Sequence, residues 1–143
     1  MLQLLIGIVV FVVAAFAAVP FFRHRHVSGV PGAYYLEQKF QALVVDLWRE
    51  YLVSSALSSE DLHDPEALAR VAIVYAGVFR EAVEERKYDS EIELYLRDFV
   101  QRRGEQDLFR TIIATLLDYQ CRDNPVLHRQ AMMEVLQRQG QQR

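Results

Sequence analysis

The stretch that most constrains this chain is its start. Residues 4–22, LLIGIVVFVVAAFAAVPFF, carry no charge, and Arg23-His24-Arg25-His26 follows at once. About 20 apolar residues in helical form cross a hydrocarbon layer of about 30 Å. Lipid offers no partners to backbone amides, so such a run satisfies them internally as a helix. Pro20 falls in the last turn, where it bends the exit rather than breaking the middle. Residues 1–22 are therefore expected to be a transmembrane anchor, with the lipid bilayer as first partner. A cleaved signal peptide is the rival, and Ala15-Phe16-Ala17 has the small-x-small form of a cleavage site. Against it, Met1-Leu2-Gln3 holds no Lys or Arg, and the apolar run exceeds the usual length of about 7–15 residues.

The flank sets orientation. Arg23 and Arg25 follow the run and no basic side chain precedes it. Basic flanks stay cytoplasmic, so the expectation is N-terminus out and the rest in the cytosol, at a bacterial-type inner membrane. Ala14 and Ala18 have the small-xxx-small spacing through which spans self-associate.

All 16 Lys+Arg and all 19 Asp+Glu lie beyond residue 22. Without Arg23 and Arg25, 14 basic side chains face 19 acidic ones, a net charge near −5. That argues against a nucleic-acid binder, which usually shows a basic face. It also argues against broad adhesion to anionic lipid beyond the flank itself. Residues 23–33 are a basic flank and a short linker, VSGVPGA, that keeps the C-terminal region close to the membrane. Residues 34–143 are long enough for one small domain with its own core. The single cysteine, Cys121, has no internal partner, sits in a helical pattern and reads as a buried free thiol.

Apolar residues then recur at steps of three and four. Over 34–54 the stripe is Leu36, Phe40, Leu43, Val44, Leu47, Trp48 and Tyr51, with Trp48 expected in the core. Residues 54–63 are polar and irregular. Asp64-Pro65-Glu66 is a helix start, and Leu68, Val71, Ala72, Tyr75, Val78, Phe79 and Ala82 carry that helix to about residue 85. Gly77 inside it points to close packing by a neighbour. Ser90 and Glu93 form a capping box for a third helix that Gly104 ends. A fourth spans 107–121. Asn124 and Pro125 start a fifth, carried by Leu127, Ala131, Met132, Val135 and Leu136 and stopped by Gly140. No stretch alternates with period two at strand length. The fold class expected is all-α, a bundle of about five amphipathic helices beside the anchor. Residues 98–104 and 134–140 echo each other at a spacing of 36, which suggests two similar hairpins.

Residues 116–128, LLDYQCRDNPVLH, run from an apolar helix through an acidic turn into a second helix. This stretch resembles the TerB-like helical fold of tellurite-resistance proteins, which also forms the N-terminal domain of membrane-anchored DnaJ-like co-chaperones. The resemblance implies an all-α fold and, as an alternative function, a metal-binding or stress-response domain. Asn124 stands where that pattern usually has Gly, and Gln130 falls near a common acidic position, which weakens the metal implication. No His-Pro-Asp motif of a J domain occurs in the sequence.

The chemistry-bearing residues have simpler explanations. His63 lies among Glu60, Asp61, Asp64 and Glu66, which a metal could use, but acids at a helix start favour its dipole anyway. Glu84, Glu85, Asp89 and Glu91 cluster around one turn and form a candidate partner surface. Arg80, Arg86 and Lys87 interleave with them. There is no Gly-rich phosphate loop, nucleophile elbow or CxxC. The expected function is a single-pass, membrane-anchored protein-interaction domain, an adaptor or accessory subunit without enzymatic activity, cofactor or metal. Its partner would be another membrane or cytosolic protein. The other alternative is a periplasmic helical domain released by signal cleavage.

Overall fold

The computed structural model describes residues 32–86 and 90–142. The expected anchor, Arg23, Arg25 and Asp89 lie outside the described residues. Among the described residues no helix is long and apolar enough to cross a membrane. Five helices are described and no strand is: α1 (Ala33–Ser54), α2 (Pro65–Arg86), α3 (Ser90–Arg103), α4 (Glu105–Gln120) and α5 (Pro125–Gln141). The chain divides into two units, Met1–Gln38 and Lys39–Arg143. In the described part of the first, the Leu36 N–H donates to the Gly32 carbonyl at 3.1 Å, and Gln38 Nε2 donates to the Tyr34 hydroxyl at 2.9 Å. The second unit is the all-α bundle.

Local chemistry sets the helix ends. Asp64 Oδ2 accepts the Ala67 N–H at 3.0 Å, and Asn124 Oδ1 accepts the Leu127 N–H at 3.1 Å, each just ahead of a proline in the first turn. Such caps contribute about 0.5–2 kcal/mol each. Gly104 alone joins α3 to α4. Its φ of 93° is left-handed, where a side chain would be strained, and its N–H donates to the Val100 carbonyl at 2.8 Å. The end of α1 is unusual. Leu57 N–H bonds the Leu52 carbonyl and Ala56 N–H bonds the Val53 carbonyl, the paired geometry that normally ends on glycine. Here the left-handed residue is Ala56, with φ of 54°.

Neighbouring backbones approach closely where α2 meets α4 and α5, and where α4 meets α3 and α5. The buried alanines Ala69, Ala72 and Ala76 on α2 and Ala131 on α5 suit the most extensive of these pairs, α2 with α5. In the second unit, α1 is tied in by large side chains. Phe40 meets Phe79 edge-on at 5.9 Å and Tyr95 at 5.4 Å, and Trp48 meets Tyr75 at 5.1 Å. Tyr51 and Phe99 extend this chain of rings from α1 through α2 to α3. Off-centre aromatic pairs of this kind add about 0.5–1.5 kcal/mol beyond their buried area. The polar ends of the rings find partners: the Tyr75 hydroxyl donates to the Val44 carbonyl at 2.5 Å, and Trp48 Nε1 donates to Gln120 Oε1 at 3.0 Å. Arg49 Nε donates to the Tyr119 hydroxyl at 2.8 Å, which fixes the same face of α1 to α4.

Several expectations need correction. Leu62, in the stretch read as polar and irregular, is buried with the core. Val78 and Leu136, assigned to core stripes, are 38% and 47% exposed, and Ala76 and Val83 are buried on α2 instead. Gly77 has no close neighbour: a Cβ there would meet nothing within 4 Å. Gly140 does not stop α5, which runs to Gln141, so the echo with Gly104 fails at the glycine.

Candidate functional site

Two concave surfaces stand at the ends of the α4–α5 hairpin. The larger in apolar lining joins the middle of α2, the first turns of α4 and the last turns of α5. It encloses about 570 Å³. Ala76, Gly77, Leu108, Phe109, Ile112 and Leu136 make its apolar lining. The helices deliver these residues through ordinary periodicity. Leu108 and Ile112 are one turn apart on the buried face of α4, and Leu136 projects beside buried Val135. Arg80 and Glu105 form an ion pair at 2.5 Å in the wall. Arg110, also in the wall, is exposed and has no ion-pair partner among the described residues. Gly104 supplies no side-chain cap to α4 at this end. Gln139 Oε1 is buried beside the groove and meets no hydrogen-bond donor. An orphaned buried acceptor costs about 1–3 kcal/mol.

The second concavity, about 600 Å³ and more open, lies at the α4–α5 turn. Asp118, Cys121, His128, Met132 and Met133 are among its lining residues. His128 Nε2 and Asp118 Oδ1 are 2.8 Å apart. Burial, and secondarily the charge of Asp118, pushes the Cys121 thiol up from its ordinary value of 9.0. A thiol held protonated in this way is a poor nucleophile and a poor metal ligand. The turn is thus built from a free buried thiol, as expected, beside a half-exposed histidine–carboxylate pair.

The sequence-predicted residues fall into three groups. Glu84 and Glu85 are exposed on α2, while Asp89 is outside the described residues. Glu91 is engaged by Lys39 of α1 at 3.4 Å, so part of its charge is used within the bundle. Around His63 the acids have structural work. Asp61 accepts from the Ser58 N–H and hydroxyl, both at 2.8 Å, and these bonds, the backbone one first, hold its carboxyl below the usual range. Asp64 caps α2. Among the described residues, no three His, Cys, Asp or Glu side chains gather as a metal site would require. The groove between α2, α4 and α5 was missed in the sequence. Its one sequence signal is Gly77, a glycine inside a helical run.

Comparison with family models, with curated proteins and with solved structures yields no match. The class that the described fold defines is an all-α bundle of five helices.

Proposed function

We propose that this chain is a single-pass, membrane-anchored interaction domain, an adaptor or accessory subunit of a membrane protein assembly. Residues 4–22 would hold it in a bacterial-type inner membrane, with Arg23 and Arg25 keeping the helical domain on the cytosolic side. The observation that carries the interaction role is the open apolar groove of about 570 Å³ walled by α2, α4 and α5. A concave surface lined by Leu108, Phe109 and Leu136 is a surface that association covers. Enzymatic activity is not part of this role.

The test is isolation from membranes after crosslinking in place. One polypeptide recovered reproducibly with the chain is the result expected. Recovery of the chain alone, together with a detectable turnover, contradicts it. Protease added to the cytosolic side of inverted vesicles should digest residues 34–143. Protection there, or an intact mass that lacks the first 17 residues, would favour the secreted alternative.

The TerB-like alternative places metal binding or a stress response in the same bundle. Elemental analysis of the purified protein separates the two: stoichiometric metal that is lost in His128→Ala or His63→Ala would favour it.

A further inference from the structure

We infer that the groove between α2, α4 and α5 receives one amphipathic helix of another polypeptide, with an acidic side chain of that helix against Arg110. This rests on the interaction role proposed above and names the chemistry of the partner.

The glycines are the first ground. Gly77 sits inside α2 and Gly140 in the last turn of α5, and both line this groove. Neither has the positive φ that would demand glycine; among the described glycines only Gly32 and Gly104 do. Neither is made necessary by an internal neighbour, because a Cβ at either position would enter open space. Glycine is unfavourable inside a helix, and its compensating use is close approach by another backbone. With Ala76 beside Gly77, the groove offers a low wall on which a helix can lie close.

Charge is the second ground. Arg80 is occupied by Glu105, so Arg110 is the cation of the wall left to an occupant. Glu105 and Asp107 already occupy the first turn of α4, so the guanidinium is the group that attracts an acidic side chain of the occupant. This argues against the chain's own residues 4–22, which hold no acid and are followed by Arg23 and Arg25. A second copy is disfavoured by the net charge near −5 that each domain carries.

The experiment selects a displayed library of amphipathic peptides, each about five helical turns long, against the full chain in detergent micelles. Peptides with Asp or Glu at one fixed position of the polar edge should be enriched. Their affinity should fall at least tenfold on Gly77→Leu or Gly140→Leu. Thermal stability should rise in Gly77→Leu, because leucine is the better helix former and its Cβ meets nothing within 4 Å, so a variant with raised stability that does not bind has lost the groove and not the fold. Arg110→Glu should switch the selected residue to Lys or Arg. Failure to enrich any peptide, binding indifferent to Gly77→Leu, or an unchanged charge preference in Arg110→Glu overturns the inference. So does sedimentation showing a dimer of the full chain that Gly77→Leu dissociates, since the occupant is then a second copy. A native partner recovered from membranes and still bound by Gly77→Leu also overturns it, and leaves the adaptor role standing. Peptide binding with no native partner supports the groove and removes the adaptor role.

Discussion

The Tyr75 hydroxyl reaches across from α2 to the Val44 carbonyl of α1, 2.5 Å away, inside the core. It is a polar tether in the middle of a chain of aromatic rings. Burial pushes the Tyr75 phenol far above its ordinary value of 10.0, so it stays a donor at any physiological pH. Tyr75→Phe keeps the rings in contact and removes only the tether. It should destabilise the domain by about 1 kcal/mol in urea unfolding, the net worth of one such bond. Tyr75→Ala removes the ring contacts as well and should cost about 3–5 kcal/mol, by analogy with other large aromatic truncations.

The single tryptophan offers a direct probe of how α1 is held. Trp48 Nε1 donates to Gln120 Oε1 at 3.0 Å, and the ring is fully buried. Gln120→Ala strands that N–H and should cost about 1–3 kcal/mol. Gln120→Glu keeps an acceptor and should cost less. Tryptophan fluorescence during denaturant titration reads both variants from one ring.

One substitution should stabilise. Ala56 takes the left-handed position that closes α1, where a Cβ is strained by about 1–2 kcal/mol. Ala56→Gly relieves that strain at some cost in unfolded-chain entropy. The expected net gain is about 1 kcal/mol, seen as a higher denaturation midpoint with an unchanged slope.

Alkaline pH should weaken the fold from pH 9.0 upward. The folded Cys121 thiol has its value raised above the ordinary 9.0 by burial. Above that pH the unfolded chain loses the thiol proton while the folded chain keeps it. The stabilising contribution is complete below 9.0 and is lost as pH rises through the folded value. Tyr75 adds the same sign of effect from pH 10.0 upward. Between these two values, Cys121→Ala should show a flatter decline in stability than the parent chain. An equal decline would mean that the thiol is not protected.

The helices were legible because their signals are local. Asp64-Pro65 and Asn124-Pro125 mark two starts, Gly104 marks a stop, and the three-and-four spacing marks the faces between. The residues misjudged are those whose environment is set from a distance. Leu62 is buried because its loop returns to the core, which the flanking polar residues hide. Val78 and Leu136 belong to apolar stripes wider than the surface that neighbours cover. The groove assembles Gly77, Phe109 and Leu136 from three helices, so no window of sequence contains it. The lack of a neighbour at Gly77 reverses the inference that a mid-helix glycine invites: the space it leaves is open rather than filled.

The most direct measurement places a photo-crosslinking residue at Leu136, in the groove, and separately at Val126, exposed near the start of the same helix. Irradiation of intact membranes should join the Leu136 variant to one helical peptide of another protein, mapped by mass spectrometry to a site near an Asp or Glu. The Val126 variant should not form that product, and Gly77→Leu should abolish it. Equal crosslinking from both positions, or a Leu136 product that survives Gly77→Leu, would contradict docking at this groove.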